Sequence, residues 1–341
     1  MRSPASASAA DPCPVPSLKV SLQASVENCS HGPVGKNDEG VEDGPLLNFS
    51  IMSYNEPTMA DIDERYIKIG DIKVHYLTAG ESGPPLVLVH GLGASAEIWK
   101  ENIQPLALNY RVYAPDLIGF GHTDKPDINY SPFDFLVFLD GFISAIGLQK
   151  TSLAGLSLGG GIVLLYTLEY PGKVDKLILV DSAGLGKEMT IPLRLGSIPC
   201  LSRWFKVSKP VMASLMKRLV HDPGVITDDL VDFYYEMLAQ PHAMRTVARV
   251  LSSVANLAGA KKDVLVYIRD RLSRINSPTL IVWGREDRIV PLKHGIYGHG
   301  QIRGSRLHVF EQCGHIPNLE KPAEFNRLVL DFLGEGSGGQ P

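Results

Sequence analysis

Pro85-Leu86-Val87-Leu88-Val89 is apolar at every position, so it cannot be a strand with one wet face. A strand that faces water alternates apolar and polar residues, whereas one covered on both faces is apolar throughout. Strand-like runs of similar kind return at Tyr110–Ala114, Lys150–Ala154, Val174–Val180, Thr279–Trp283 and Arg306–Phe310. Between them lie segments with helical periodicity. Ala94–Leu108 places Ile98, Trp99, Ile103 and Leu106 on one face, and Pro132–Ile146, Leu158–Tyr170 and Pro322–Leu333 read the same way. Strands that alternate with helices in this manner specify an α/β architecture, a mostly parallel sheet with helices on both faces. The first two strands differ. Glu64–Gly70 and Asp71–Thr78 flank a Gly-Asp turn, with alternation at Ile72, Val74 and Tyr76.

The alternation is interrupted once. From Asp181 to about Asn276 the strand signal almost vanishes, and amphipathic helices are expected over Lys209–Leu219, Asp228–Leu238, Met244–Leu257 and Lys262–Ile275. Ile191, Leu195, Ile198, Leu201, Trp204, Phe205, Val211 and Met212 make the front of this stretch apolar and aromatic. It reads as an inserted helical lid whose apolar side faces a pocket; a second helical core is the alternative. The expected organisation is a disordered extension over 1–60, core over 61–185, lid over 186–276, core again over 277–334, and a flexible tail over 335–341. Residues 1–60 are rich in Pro, Ser and Ala without sustained period. The folded part is expected to start near Met59.

Charge excludes some partners. The net charge of −4 arises upstream, where residues 1–60 carry three basic and seven acidic groups and leave the remainder balanced. A neutral folded part gives no footprint for nucleic acid or an anionic membrane. No run approaches the roughly 18 apolar residues of a membrane span. Cys13, Cys29, Cys200 and Cys313 are scattered without a CxxC, as expected of reduced thiols in a cytoplasmic protein rather than a zinc site. The Ser/Ala-rich start hints at organelle targeting, but Arg2 is its lone arginine.

Chemistry enters at the strand ends. Lys150–Ala154 runs into Gly155-Leu156-Ser157-Leu158-Gly159 and then a helix. A serine at such a turn stands clear of the sheet, and the flanking glycines avoid Cβ clashes with neighbouring strand and helix. The next strand ends before Asp181. Gly284-Arg285-Glu286-Asp287 and Cys313-Gly314-His315-Ile316-Pro317 follow the last two strands. A serine hydroxyl needs a base, a histidine supplies one near neutral pH, and a buried carboxylate orients the imidazole. Ser157, Asp287 and His315 fill these roles. Glu286 and Asp181 are alternative acids. The oxyanion of an attacked carbonyl needs fixed donors, for which the N–H groups of Leu92, after His90-Gly91, and Leu158 are placed. His90 reads as a loop-packing residue and Cys313 as buried filler.

From about Ile62 to Leu333 the chain resembles the α/β-hydrolase fold superfamily with a helical cap. The hallmarks are His90-Gly91-x-Gly93, Asp116-Leu117-x-Gly119-x-Gly121, Gly155-x-Ser157-x-Gly159-Gly160, Gly284-x-x-Asp287 and Gly314-His315. The resemblance implies Ser157 as nucleophile, Asp287 as acid and His315 as base, with no cofactor and no metal. The order Ser, Asp, His along the chain is that of this superfamily. Ser157 sets the chain apart from epoxide hydrolases and haloalkane dehalogenases, which carry Asp there.

Arg306–Phe310, Cys313–His315 and Glu324–Val329 are similar to the C-terminal segment of meta-cleavage-product hydrolases, which cleave C–C bonds of vinylogous diketones. Three departures stand against that substrate. Their first loop usually reads His-Gly-x-Gly-Pro-Gly-Ala, their lid arginine would fall near Tyr234, and their aromatic after the catalytic histidine is Ile316 here. With Gly91, Gly93, Trp204, Tyr234 and Ile316 as expected pocket residues, an uncharged hydrophobic carboxylic ester is the expected small-molecule substrate. A C–C hydrolase is the alternative, and a small-molecule receptor on the same fold is an alternative of another class.

Overall fold

Residues 60–198 and 208–335 of the computed structural model are described here. The expected extension upstream of Ala60, the tail beyond Glu335, and Leu201, Trp204 and Phe205 therefore lie outside the described residues. Eight strands make one sheet: β1 (Asp63–Ile69), β2 (Ile72–Ala79), β3 (Pro85–Val89), β4 (Arg111–Pro115), β5 (Thr151–Leu156), β6 (Val174–Val180), β7 (Thr279–Gly284) and β8 (Arg306–Phe310). Their spatial order is β1-β2-β4-β3-β5-β6-β7-β8. From β4 to β8 all neighbours are parallel, and β2 joins antiparallel to β4.

The sequence dictates these placements. β3 and β5 are buried along nearly their whole length and sit centrally, with Leu88 opposite Ala154. β1 carries Asp63, Glu64, Arg65 and Lys68, is largely exposed, and takes the edge, where charge discourages pairing with another chain. Gly70 turns β1 into β2 with φ of 58°.

Helices α1 (Lys100–Ala107) and α11 (Pro322–Gly334) cover one face, where Ile103, Leu106, Phe325 and Val329 meet Leu86 and Leu88. Helices α2 (Pro132–Ala145) and α3 (Leu158–Glu169) cover the other, where Phe135, Leu139, Val163 and Leu164 meet Val87 and Leu153. Each such side chain, fully buried, contributes about 1.5–3 kcal/mol. A capping box of Ser131 and Asp134 starts α2. The expected helix Ala94–Leu108 is shorter, a 3-10 turn over Ala96–Trp99 followed by α1.

The helical insertion lies between β6 and β7. It holds α4 (Ile191–Gly196), α5 (Lys209–Lys217), α6 (Asp228–Ala239), α7 (Ala243–Val254) and α8 (Lys262–Arg269). A two-residue hairpin, Ala255–Asn256 with Gly259–Ala260, stops α7 earlier than expected. The chain then continues through α9 (Lys293–Gln301) and α10 (Pro317–Glu320).

Candidate active site

Because β3 and β5 to β8 are parallel, their C-terminal ends share one edge, where the crossover helices leave a crevice. Ser157 follows β5, Asp181 follows β6, Asp287 follows β7 and His315 follows β8. Ser157 has φ of 54° and ψ of −114°, a strained conformation for a residue with a side chain. Its N–H donates to Val180 O at 2.9 Å, and its carbonyl accepts from Gly161 and Ala183. The turn is tight enough to need its glycines. A Cβ at Gly155 would stand 2.4 Å from Gly159 O, and one at Gly159 would stand 2.3 Å from Val89 O.

The histidine and its acid meet directly. His315 Nδ1 lies 2.8 Å from Asp287 Oδ2, and both residues are buried. Asp287 Oδ1 accepts from the N–H groups of Ile289 and Val290 at 2.7 and 3.0 Å. Burial opposes the charged form of Asp287, but the neighbouring His315 outweighs it and holds the carboxyl below its usual range. The His315 N–H donates to Leu219 O at 2.6 Å, which ties the loop to the helical insertion.

The two alternative acids separate. Glu286 is committed to the loop, since its Oε2 accepts from the Cys313 N–H at 2.9 Å. Asp181 lies beside Asp287 rather than taking its place on His315 Nδ1. Asp181, Asp287 and His315 are the one group of potential metal ligands close together among the described residues. The atoms of His315 and Asp287 are already committed to each other and to backbone donors.

Leu158 opens α3, where the first N–H groups have no intrahelical acceptor. Leu92 follows Gly91, and a Cβ on Gly91 would lie 3.3 Å from the Ser157 Cβ. Both leucines therefore lie beside the serine. His90 packs the loop: its Nε2 accepts from the Leu117 N–H at 2.9 Å, so its Nδ1–H donates to Gly91 O at 2.8 Å. Burial keeps this imidazole neutral. Burial also pushes up the Cys313 thiol, helped by Glu320, and leaves it inert.

Ser157, His315, Leu92 and Leu158 line a cavity of about 840 Å³ roofed by the helical insertion. Gly91, Gly93, Tyr234 and Ile316 also line it, while Trp204 lies outside the described residues. The walls are overwhelmingly apolar, including Met212, Met216 and Leu219 from the insertion.

One expectation is corrected. Ile191 and Leu195 point outward, at 69% and 37% exposure, and it is their neighbours Pro192 and Leu193 that face the cavity. Helix α4 is too short for periodicity to assign its face. Two exposed arginines also border the cavity, Arg218 at the end of α5 and Arg288. Tyr234, the position expected in place of a lid arginine, lines the same cavity. Sequence reasoning also passed over Glu188 and His294, which pair at 2.8 Å on the cavity wall.

With this geometry in view, the comparisons with known proteins are consistent. Residues 86–328 match the alpha/beta hydrolase family. The chain is 33% identical over 288 residues to a 2-hydroxy-6-oxo-6-phenylhexa-2,4-dienoate hydrolase of Comamonas testosteroni, which covers 82% of this chain and 96% of that protein. A solved meta-cleavage product hydrolase of Pseudomonas fluorescens has a TM-score of 0.68 at 30% identity, over 78% of this chain and 96% of that one. A membrane phospholipase A described as a bacterial virulence factor has a TM-score of 0.67 at 25% identity, over 82% and 87%. The chain belongs to the alpha/beta hydrolase family. Among the described residues no helix is long and apolar enough to cross a membrane.

Proposed function

We propose that the protein is a serine hydrolase that cleaves an uncharged hydrophobic carboxylic ester through an acyl-enzyme. The observation that carries this reading is the cavity over Ser157, about 840 Å³ and lined almost wholly by apolar side chains. Burial of apolar substrate there is favourable, whereas a charged group would lose hydration with few partners.

The steps follow from the residues. His315 Nε2 takes the Ser157 Oγ proton as Oγ attacks the ester carbonyl carbon. The resulting oxyanion is held by the Leu92 and Leu158 N–H groups. Asp287 holds the Nδ1–H of His315 and stabilises the imidazolium. His315 then returns the proton to the leaving alkoxide, and water releases the acyl group by the same steps. In this reading the helical insertion is a lid that keeps the acyl chain out of water. No cofactor takes part in this scheme. Purified protein is expected to hydrolyse 4-nitrophenyl esters of short to medium chain, and Ser157→Ala to abolish it. Turnover that survives in Ser157→Ala would sink the mechanism.

A second reading is favoured by Arg218. An arginine bordering the cavity could hold a substrate carboxylate, as in a C–C bond hydrolase of a vinylogous diketo acid. The relatives of that name raise its standing. Turnover of such a diketone far above that of any ester would reverse the order.

A further inference from the structure

Asp181 ends β6 with its side chain wholly enclosed. Its backbone lies in the left-handed region, with φ of 41°. Its N–H donates to Val282 O at 3.0 Å, and its Oδ1 accepts from the Gly284 N–H at 3.1 Å. Among the described residues none hydrogen-bonds Oδ2. What stands near it is another carboxylate, since ligand atoms of Asp181, Asp287 and His315 lie within 4.8 Å of one another.

Two ionised carboxylates cannot share a dry site with a single imidazole at low cost, and one proton between them removes the conflict. The proton has an assigned place. Asp287 keeps its charge because His315 and two backbone N–H groups face it. Asp181 has one backbone N–H and an empty Oδ2. Burial first, then the charge of Asp287, push the Asp181 carboxyl well above its usual range, and Glu320 acts in the same sense. The Cys313 thiol, which also senses Asp181, is neutral.

We propose that Asp181 is a positioning residue of this site: as a neutral carboxylic acid it donates its Oδ2–H to the Asp287 carboxylate and so fixes the acid that orients His315. The proton stays on Asp181 throughout the cycle. The inference rests on the reading of Ser157, Asp287 and His315 as a triad, but not on the identity of the substrate.

Three variants test it. Asp181→Asn keeps an N–H toward Asp287, an oxygen toward Gly284, and a residue type that accepts a positive φ. Asp181→Ala removes the donor, and Asp181→Gly does so without the backbone strain, should the alanine variant fold poorly. The asparagine variant is expected to keep kcat within about threefold. The glycine and alanine variants are expected to lose roughly 10–100-fold in kcat, as for one hydrogen bond to a charged group, with KM little changed. The far-downfield proton resonance of His315 Nδ1–H, read by NMR without substrate, is expected to stay in Asp181→Asn and to move in Asp181→Gly.

An asparagine variant as impaired as the glycine one, with its resonance moved, would mean that Asp181 is ionised and overturn the proposal. A glycine variant with wild-type kcat and an unmoved resonance would overturn it as well. Wild-type protein without ester turnover would end the ester reading, while the resonance alone still decides the role of Asp181.

Discussion

Gly91 and Ser157 approach so closely that a β-carbon on the glycine would stand 3.3 Å from the β-carbon of the serine. The loop after β3 is thus held against Ser157, and in the proposed mechanism that contact sets where the Leu92 N–H stands. In Gly91→Ala one of the two residues must give by a few tenths of an ångström. The fold tolerates this, but an oxyanion donor does not. Loss of one such donor costs about 3 kcal/mol of barrier. We expect Gly91→Ala to lower kcat by up to about 10²-fold, with little change in melting temperature. Steady-state kinetics beside thermal unfolding check this; a variant with full kcat would show that Leu92 is not a donor.

Two glycines on α3 should behave in opposite ways. A Cβ at Gly159 would meet backbone, Val89 O at 2.3 Å and His90 O at 2.5 Å, which cannot move without breaking the sheet. At Gly161 the nearest atom would be Ala183 Cβ at 3.5 Å, an ordinary contact. Alanine within a helix is worth up to about 1 kcal/mol over glycine. Gly161→Ala is therefore expected to raise the unfolding temperature slightly. Gly159→Ala is expected to lose about 3 kcal/mol or more, or to fail to fold. Denaturant unfolding of the two proteins decides, and equal stabilities would refute the contrast.

The same glycines explain what could be read from the chain alone. A motif such as Gly155–Gly159 records a local steric requirement, so the turn, the serine and their neighbours were legible. So were the strands, because burial on both faces leaves no polar position in β3 or the second half of β6. What was not legible depends on pairs distant in sequence. Asp181 sits beside Asp287 only because β6 and β7 pair in register, Ile178 opposite Leu280. Arg218 reaches the cavity only because α5 ends against the His315 loop. The outward face of α4 depends on six residues, too few for a helical period to show.

A buried ion pair behind the active-site loop gives a pH dependence. His75 Nδ1 lies 2.7 Å from Asp116 Oδ2, and Asp116 also accepts from the Ala96 and His122 N–H groups. Burial favours the neutral imidazole, but Asp116 outweighs it, so His75 titrates above its ordinary 6.5. Asp116, despite burial, is held by His75 below its ordinary 3.8. The raised base contributes stability that is full below 6.5 and is lost as pH rises through its folded value. The lowered acid contributes stability that is present above 3.8 and is lost as pH falls through its folded value. The pair thus stabilises most between these values. We expect the difference in melting temperature between wild type and His75→Gln to be widest there and to narrow as pH rises above 6.5 through the folded value of His75. A difference that stays constant would refute the charged pair.

Arg218 offers the sharpest discrimination between substrates. Arg218 is an exposed residue bordering the cavity, and its guanidinium makes no hydrogen bond or ion pair with a described residue. The next residue, Leu219, accepts the His315 N–H at 2.6 Å, so the cation stands one residue from the loop of the base. A guanidinium paired with a substrate carboxylate is worth about 1.5–3 kcal/mol in such a place, or roughly 10–100-fold in binding. It gives little to a neutral ester. Arg218→Gln is therefore expected to raise KM for a carboxylate-bearing vinylogous diketone at least about tenfold more than KM for a 4-nitrophenyl ester. Steady-state kinetics on both substrates read the difference. An equal effect on both would mean that Arg218 contributes shape alone, and the apolar walls would then be left as the determinant of what reaches Ser157.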